Sequence, residues 1–105
     1  MSIKKINGVR YLVPWLRISY AISPFFEQLD NCDIGMMKRA CRQLEQFEKS
    51  GRIDRRKMKS GTRKLVGGLA KAMQEGLDNK KAIRHASRSL REAVERRIGE
   101  LEADP

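Results

Sequence analysis

The chain has almost no histidine, few aromatics and hardly any acid in its central third. Its single histidine is His85, and its two cysteines, Cys32 and Cys41, lie nine residues apart with no CxxC pair. That set is too poor for a zinc site, so neither a metal nor a cofactor is expected. The thiols read as reduced cysteines of a cytoplasmic protein. Spacing supports no Cys–His or Ser–His–Asp arrangement, and His85 falls on the polar side of its helix beside Arg84. The Gly67-Gly68 pair lacks the GK[ST] context of a phosphate loop. Enzymatic activity is therefore not expected.

Long apolar runs are missing too. No stretch approaches the ~18–20 residues that span a bilayer, so no membrane partner is expected. Met1 to Val13 lacks the apolar region of a secretory signal, and no cleavage site follows. Only 40 % of the residues are hydrophobic and six are aromatic, which leaves a thin core for one small domain covering residues 1–105. Such a domain is stable by a few kcal/mol at most, or leans on a partner or on a second copy of itself as a homo-oligomer.

What the chain does have is basic charge, and it is concentrated. Thirteen of the 23 Lys and Arg residues lie between Gly51 and Arg91, against three acids. This segment carries +10, the formal charge of the whole protein; residues 1–50 add +3 and the last fourteen subtract 3. A field focused in this way fits an anionic partner.

Apolar periodicity predicts an all-α domain of four or five helices. Ile6-Asn7-Gly8-Val9 suits a short hairpin or an ordered arm within residues 1–13. Residues 14–50 form aromatic-rich helices. Pro14 opens one carrying Trp15, Ile18 and Ile22. Pro24 then interrupts, with Ser23 as a fresh N-cap ahead of Phe25, Phe26 and Leu29. Asp33 caps the next, whose Ile34, Met37, Cys41, Leu44 and Glu48 fall at 3–4 spacing until Ser50-Gly51 ends it.

Asp54 opens a third helix with Met58, Thr62, Leu65, Leu69 and Met73 on one side, although Ser60-Gly61 is a point where it can split. Gly76-Leu77-Asp78 reads as a tight connection: Gly76 at positive φ, Leu77 as the following apolar contact, Asp78 as the next N-cap. The last helix, about Asn79 to Glu102, carries Ala82, Ile83, Ala86, Leu90, Ala93, Val94 and Leu101. Residues 54–101 are thus expected to form an antiparallel helical hairpin, its alanines packed on Gly67 and Gly68. Acids in the final turn oppose the helix dipole, so that end should fray.

Two constellations point to function. On an unbroken third helix Arg52, Arg56, Lys59 and Arg63 fall within about 60° of each other, as do Arg84, Arg88 and Arg91 on the fourth. Arg55, Lys57, Lys64, Lys80 and Lys81 surround these rows. Rows of guanidinium groups meet the repeating phosphates of DNA or RNA and displace counterions. The second constellation is the aromatic stretch Tyr11, Trp15, Tyr20, Phe25 and Phe26, which suits base stacking or an interface but is most simply core. Both flanking helices are too long for a compact helix-turn-helix reader.

The leading expectation is a non-catalytic nucleic-acid-associated accessory protein, DNA-binding or RNA-binding, that contacts phosphates through Arg52, Arg55, Arg56, Lys59, Arg63, Lys64, Lys80, Lys81, Arg84, Arg88 and Arg91. The alternative is a regulatory adaptor or inhibitor. It would dock on an acidic surface of a larger protein, such as a nucleic-acid-processing enzyme, and modulate it.

Overall fold

Ile18, Ile22, Phe25 and Leu29 repeat at helical spacing, and in the computed structural model, which describes residues 18–103, they line the inner side of one helix. This helix, α1, runs through residues 18–30 without a break. The interruption expected at Pro24 does not occur. Ser23 and Pro24 are exposed, so the carbonyl that loses its donor lies on the solvent side, where water can take the place of the missing bond. Asn31 and Cys32 tighten the last turn through bonds to the carbonyls of Gln28 and Leu29.

Helix α2, Ile34–Ser50, starts as expected at Asp33, whose side chain accepts from the Met36 N–H at 2.8 Å. It ends at Gly51, which takes the left-handed conformation at φ 67° and donates its N–H to the Phe47 carbonyl. Asp54 then opens only a short 3₁₀ turn, Arg55–Lys57. The long third helix divides at the expected Ser60-Gly61 pair, and α3 spans Ser60–Gly76. Buried Ile53 and Met58 anchor the intervening segment at both ends.

Helix α4, Lys80–Ala103, is capped by Asn79, not Asp78: the Asn79 side chain accepts from the Ala82 N–H at 2.8 Å. Gly76 has no positive φ. It is the last residue of α3, and the chain leaves the helix through Leu77 in extended conformation at φ −114°. The acidic end of α4 stays helical through Ala103 where fraying was expected, and Glu102 pairs with Lys38 at 3.4 Å. The region 1–13, with Pro14 and Trp15, lies outside the described residues, as does Asp104.

All four helices contribute to one core, which includes Ile18, Leu29, Met37, Leu44, Phe47, Val66, Leu69, Met73 and Val94. Leu90, expected against the third helix, is buried within this shared core. The domain is all-α, but its last two helices do not pair as the expected hairpin. α4 packs along α2, and no comparable backbone approach joins α4 to α3. The pair is antiparallel: Lys38 meets Glu102, Cys41 meets Glu95, and Glu48 meets Arg88 and Arg91. At the far end Gly51 lies against Lys80 and Arg84.

The apolar stripe of α4 suits either neighbour. The two neighbours differ in the charge beside the stripe. Helix α3 carries a single acid, Glu75, whereas α2 sets Glu48 against Arg88 and Arg91 of α4. Among the described residues, Gly67 and Gly68 accordingly face no helix. A Cβ at Gly68 would meet nothing within 4 Å, and at Gly67 only the stem of Arg63. Among the described residues no helix is long and apolar enough to cross a membrane.

Candidate functional site

The short segment between α2 and α3 gathers the basic charge. Arg52 follows the αL turn at Gly51, and the Asp54 side chain accepts the Arg56 N–H at 3.1 Å, turning Arg55–Lys57 outward. The Arg63 guanidinium reaches back to donate to the carbonyls of Arg55 (3.3 Å) and Met58 (3.2 Å), tying this turn to α3. The tie fixes a surface loop by hydrogen bonds where apolar burial is scarce.

Three adjoining grooves surround this segment. The first, about 670 Å³, runs between Asp54–Arg56 and the side of α3 bearing Arg63, Gly67, Gly68 and Lys71. The second, about 460 Å³, lies between the end of α2 and Arg52–Lys57 and includes Lys49. In the third, about 500 Å³, Arg39 and Arg42 of α2 face Lys57 and Lys59. Together they are lined by Arg39, Arg42, Lys49, Arg52, Arg55, Arg56, Lys57, Lys59, Arg63 and Lys71 against one carboxylate, Asp54. Among the described residues, only Lys49 (to Glu45, 2.8 Å) and Lys57 (to Asp54, 4.0 Å) of these ten form ion pairs. The remaining cations repel one another and are poised to gain from an anion brought among them.

The expected site residues therefore divide. Arg52, Arg55, Arg56, Lys59 and Arg63 come together around the linker, but not as a helical row, because the third helix begins only at Ser60. Lys64 is exposed on α3 outside the grooves. Lys80, Lys81 and Arg84 are exposed at the start of α4, with Lys80 and Arg84 covering Gly51.

Arg88 and Arg91 are taken up in structure. Both donate to Glu48 at 2.9 Å, and Arg91 also donates to Glu95 at 2.6 Å. Hydrogen bonds from Arg91 and then Arg88 hold the Glu48 carboxyl below the usual carboxylate range. Glu48 and then Glu95 in turn hold Arg91 even more firmly protonated. Beside them, burial and then Glu95 push the Cys41 thiol up to about 11, which leaves it protonated and unreactive at neutral pH.

Sequence reasoning missed Arg39, Arg42, Lys49 and Lys71. A signal was there for two of them: Arg39, Arg42, Gln43 and Gln46 repeat at helical spacing along one polar side of α2. Of the aromatic stretch, Tyr11 and Trp15 lie outside the described residues. Phe25 is buried, and Phe26 packs edge-on against it and under the Arg97 guanidinium, 4.7 Å from the ring centre. Arg97 also pairs with Asp30, joining α4 to α1. Tyr20 is 78 % exposed. The phenylalanines are thus core rather than stacking platforms. No protein-family model, curated protein or solved structure matches this chain.

Proposed function

We propose that the chain is a non-catalytic, nucleic-acid-associated accessory protein of the cytoplasm. It contacts phosphates through the basic face centred on residues 52–59 and does not read base sequence. One observation carries this reading: ten cationic side chains line three adjoining grooves that contain a single carboxylate. A surface of this kind neutralises several phosphates at once and releases their counterions. Arginine predominates over lysine on it, which favours bidentate contacts to phosphate oxygens.

The test is binding to unrelated DNA and RNA across a salt series. If about four to six phosphates are neutralised, affinity falls roughly one-hundred- to one-thousand-fold between about 50 and 200 mM salt, with little sequence preference. Absence of binding at about 50 mM salt, or binding indifferent to salt, overturns the reading. The basic face then belongs to an acidic protein surface, and a regulatory adaptor or inhibitor becomes the description to pursue.

A further inference from the structure

The two adjacent glycines inside α3 meet no packing partner among the described residues that would require them. Glycine weakens a helix interior relative to alanine because its backbone has the most freedom to lose. Neither Gly67 nor Gly68 has positive φ. A Cβ at Gly67 would lie 3.5 Å from the Arg63 Cγ, an ordinary contact, and a Cβ at Gly68 would meet nothing within 4 Å. No packing among the described residues needs the missing side chains.

Both glycines line the largest of the three basic grooves. Arg63 and Lys71 stand one turn before and one turn after Gly67 on the same side of α3. Arg55 and Arg56 form the opposite wall, held by the bond from Arg63 to the Arg55 carbonyl. The single carboxylate, Asp54, is engaged by the Arg56 N–H and, more loosely, by Lys57. The outcome is an open groove in which cations of the Arg55–Lys57 turn and of α3 surround helix backbone left uncovered by the described residues.

We infer that this groove seats a phosphodiester strand of nucleic acid. Its phosphates lie against Arg55, Arg56 and Lys71, and its sugar edge against the uncovered backbone at Gly67 and Gly68. The inference rests on the proposed nucleic-acid reading and deepens it. A thin strand charged along its whole length needs both the paired cationic walls and the bare helix. An acidic peptide carries its charge at the tips of side chains and gains nothing from the glycines.

The test uses the full chain, a fluorescein-labelled mixed-sequence DNA duplex read by fluorescence anisotropy, and thermal melting. Gly68→Gln projects a neutral, helix-favouring side chain into the groove. It should melt no lower than wild type while its Kd for the duplex rises by about tenfold. Lys71→Gln should lower the slope of log affinity against log salt by about one. An unchanged Kd in Gly68→Gln overturns the groove assignment while leaving the broader function standing. A lower melting temperature in Gly68→Gln also overturns it, since α3 would then need that glycine for its own packing. A wild-type chain that ignores the duplex but binds polyglutamate overturns both.

Discussion

Glu48 of α2 and Arg91 of α4 meet at 2.9 Å with side chains only 15 % and 20 % exposed, and so link two helices that are far apart in sequence. Arg88 approaches the other carboxylate oxygen at 2.9 Å. Removing Arg91 leaves Glu48 with Arg88 alone, and removing Glu48 takes from both arginines their ionic contact with α2.

A pH dependence follows. The folded Glu48 titrates below its unfolded value, so its contribution is complete above the ordinary carboxylate pKa of about 4.3 and is lost as pH falls through the lower folded value. Glu48→Gln should melt below wild type at neutral pH. The difference should shrink as thermal melts are moved into acid below about pH 4. A constant difference across that range would show that the ionised pair is not what stabilises the α2–α4 contact.

Charge reversals should separate binding from folding. Arg39→Glu with Arg42→Glu, or Arg52→Glu with Arg56→Glu, should weaken duplex binding with little change in helical circular dichroism, because these exposed charges contribute little to stability. Arg88→Glu with Arg91→Glu should lower the melting temperature markedly, since it sets new carboxylates against Glu48. Paired anisotropy and melting curves on the three variants check this division.

Gly51 is constrained twice. Its φ of 67° is strained for any residue with a Cβ, and a Cβ there would lie 3.0 Å from the Lys80 Cβ. Gly51→Ala should therefore cost about 1–2 kcal/mol from backbone strain alone, measured as a shift of the urea midpoint.

Asn79 and Asp78 provide a local comparison. Asn79 caps α4, so Asn79→Ala should cost about 0.5–2 kcal/mol. Among the described residues Asp78 accepts only from the Asn79 side chain, at 3.2 Å, and Asp78→Ala should cost distinctly less. Equal losses in urea melts would return the cap to Asp78.

Ser87 is fully buried on α4, and its hydroxyl has no hydrogen-bond partner among the described residues. Ser87→Ala removes that unsatisfied group at little cost in volume. It should raise stability by about 1 kcal/mol in the same urea assay.

Features governed by neighbours in sequence were legible without a structure. Asp33 as a cap, Gly51 as a left-handed terminator and the division at Ser60-Gly61 each depend on a few adjacent residues. Gly76-Leu77-Asp78 carried equally strong local signals and misled, because a short connection makes two helices consecutive without making them pack. The basic face was half legible. Arg52, Arg55, Arg56, Lys59 and Arg63 were found by charge density, yet the helical row assumed for them required a helix that starts only after they end.

The amino-acid order alone thus determined the helical class, the position of α2, the apolar stripe of α4 and the concentration of positive charge between Gly51 and Arg91. Turn chemistry, apolar periodicity and net charge are local or additive, and so can be read along the chain. Tertiary structure alone decided that α4 lies against α2 and that Arg88 and Arg91 serve Glu48. It also brought Arg39 and Arg42 to the grooves around residues 52–59. The apolar stripe of α4 fits more than one neighbour. Pairing with α2 sets Glu48 beside Arg88 and Arg91, charges forty or more residues apart whose attraction exists only once the helices are side by side.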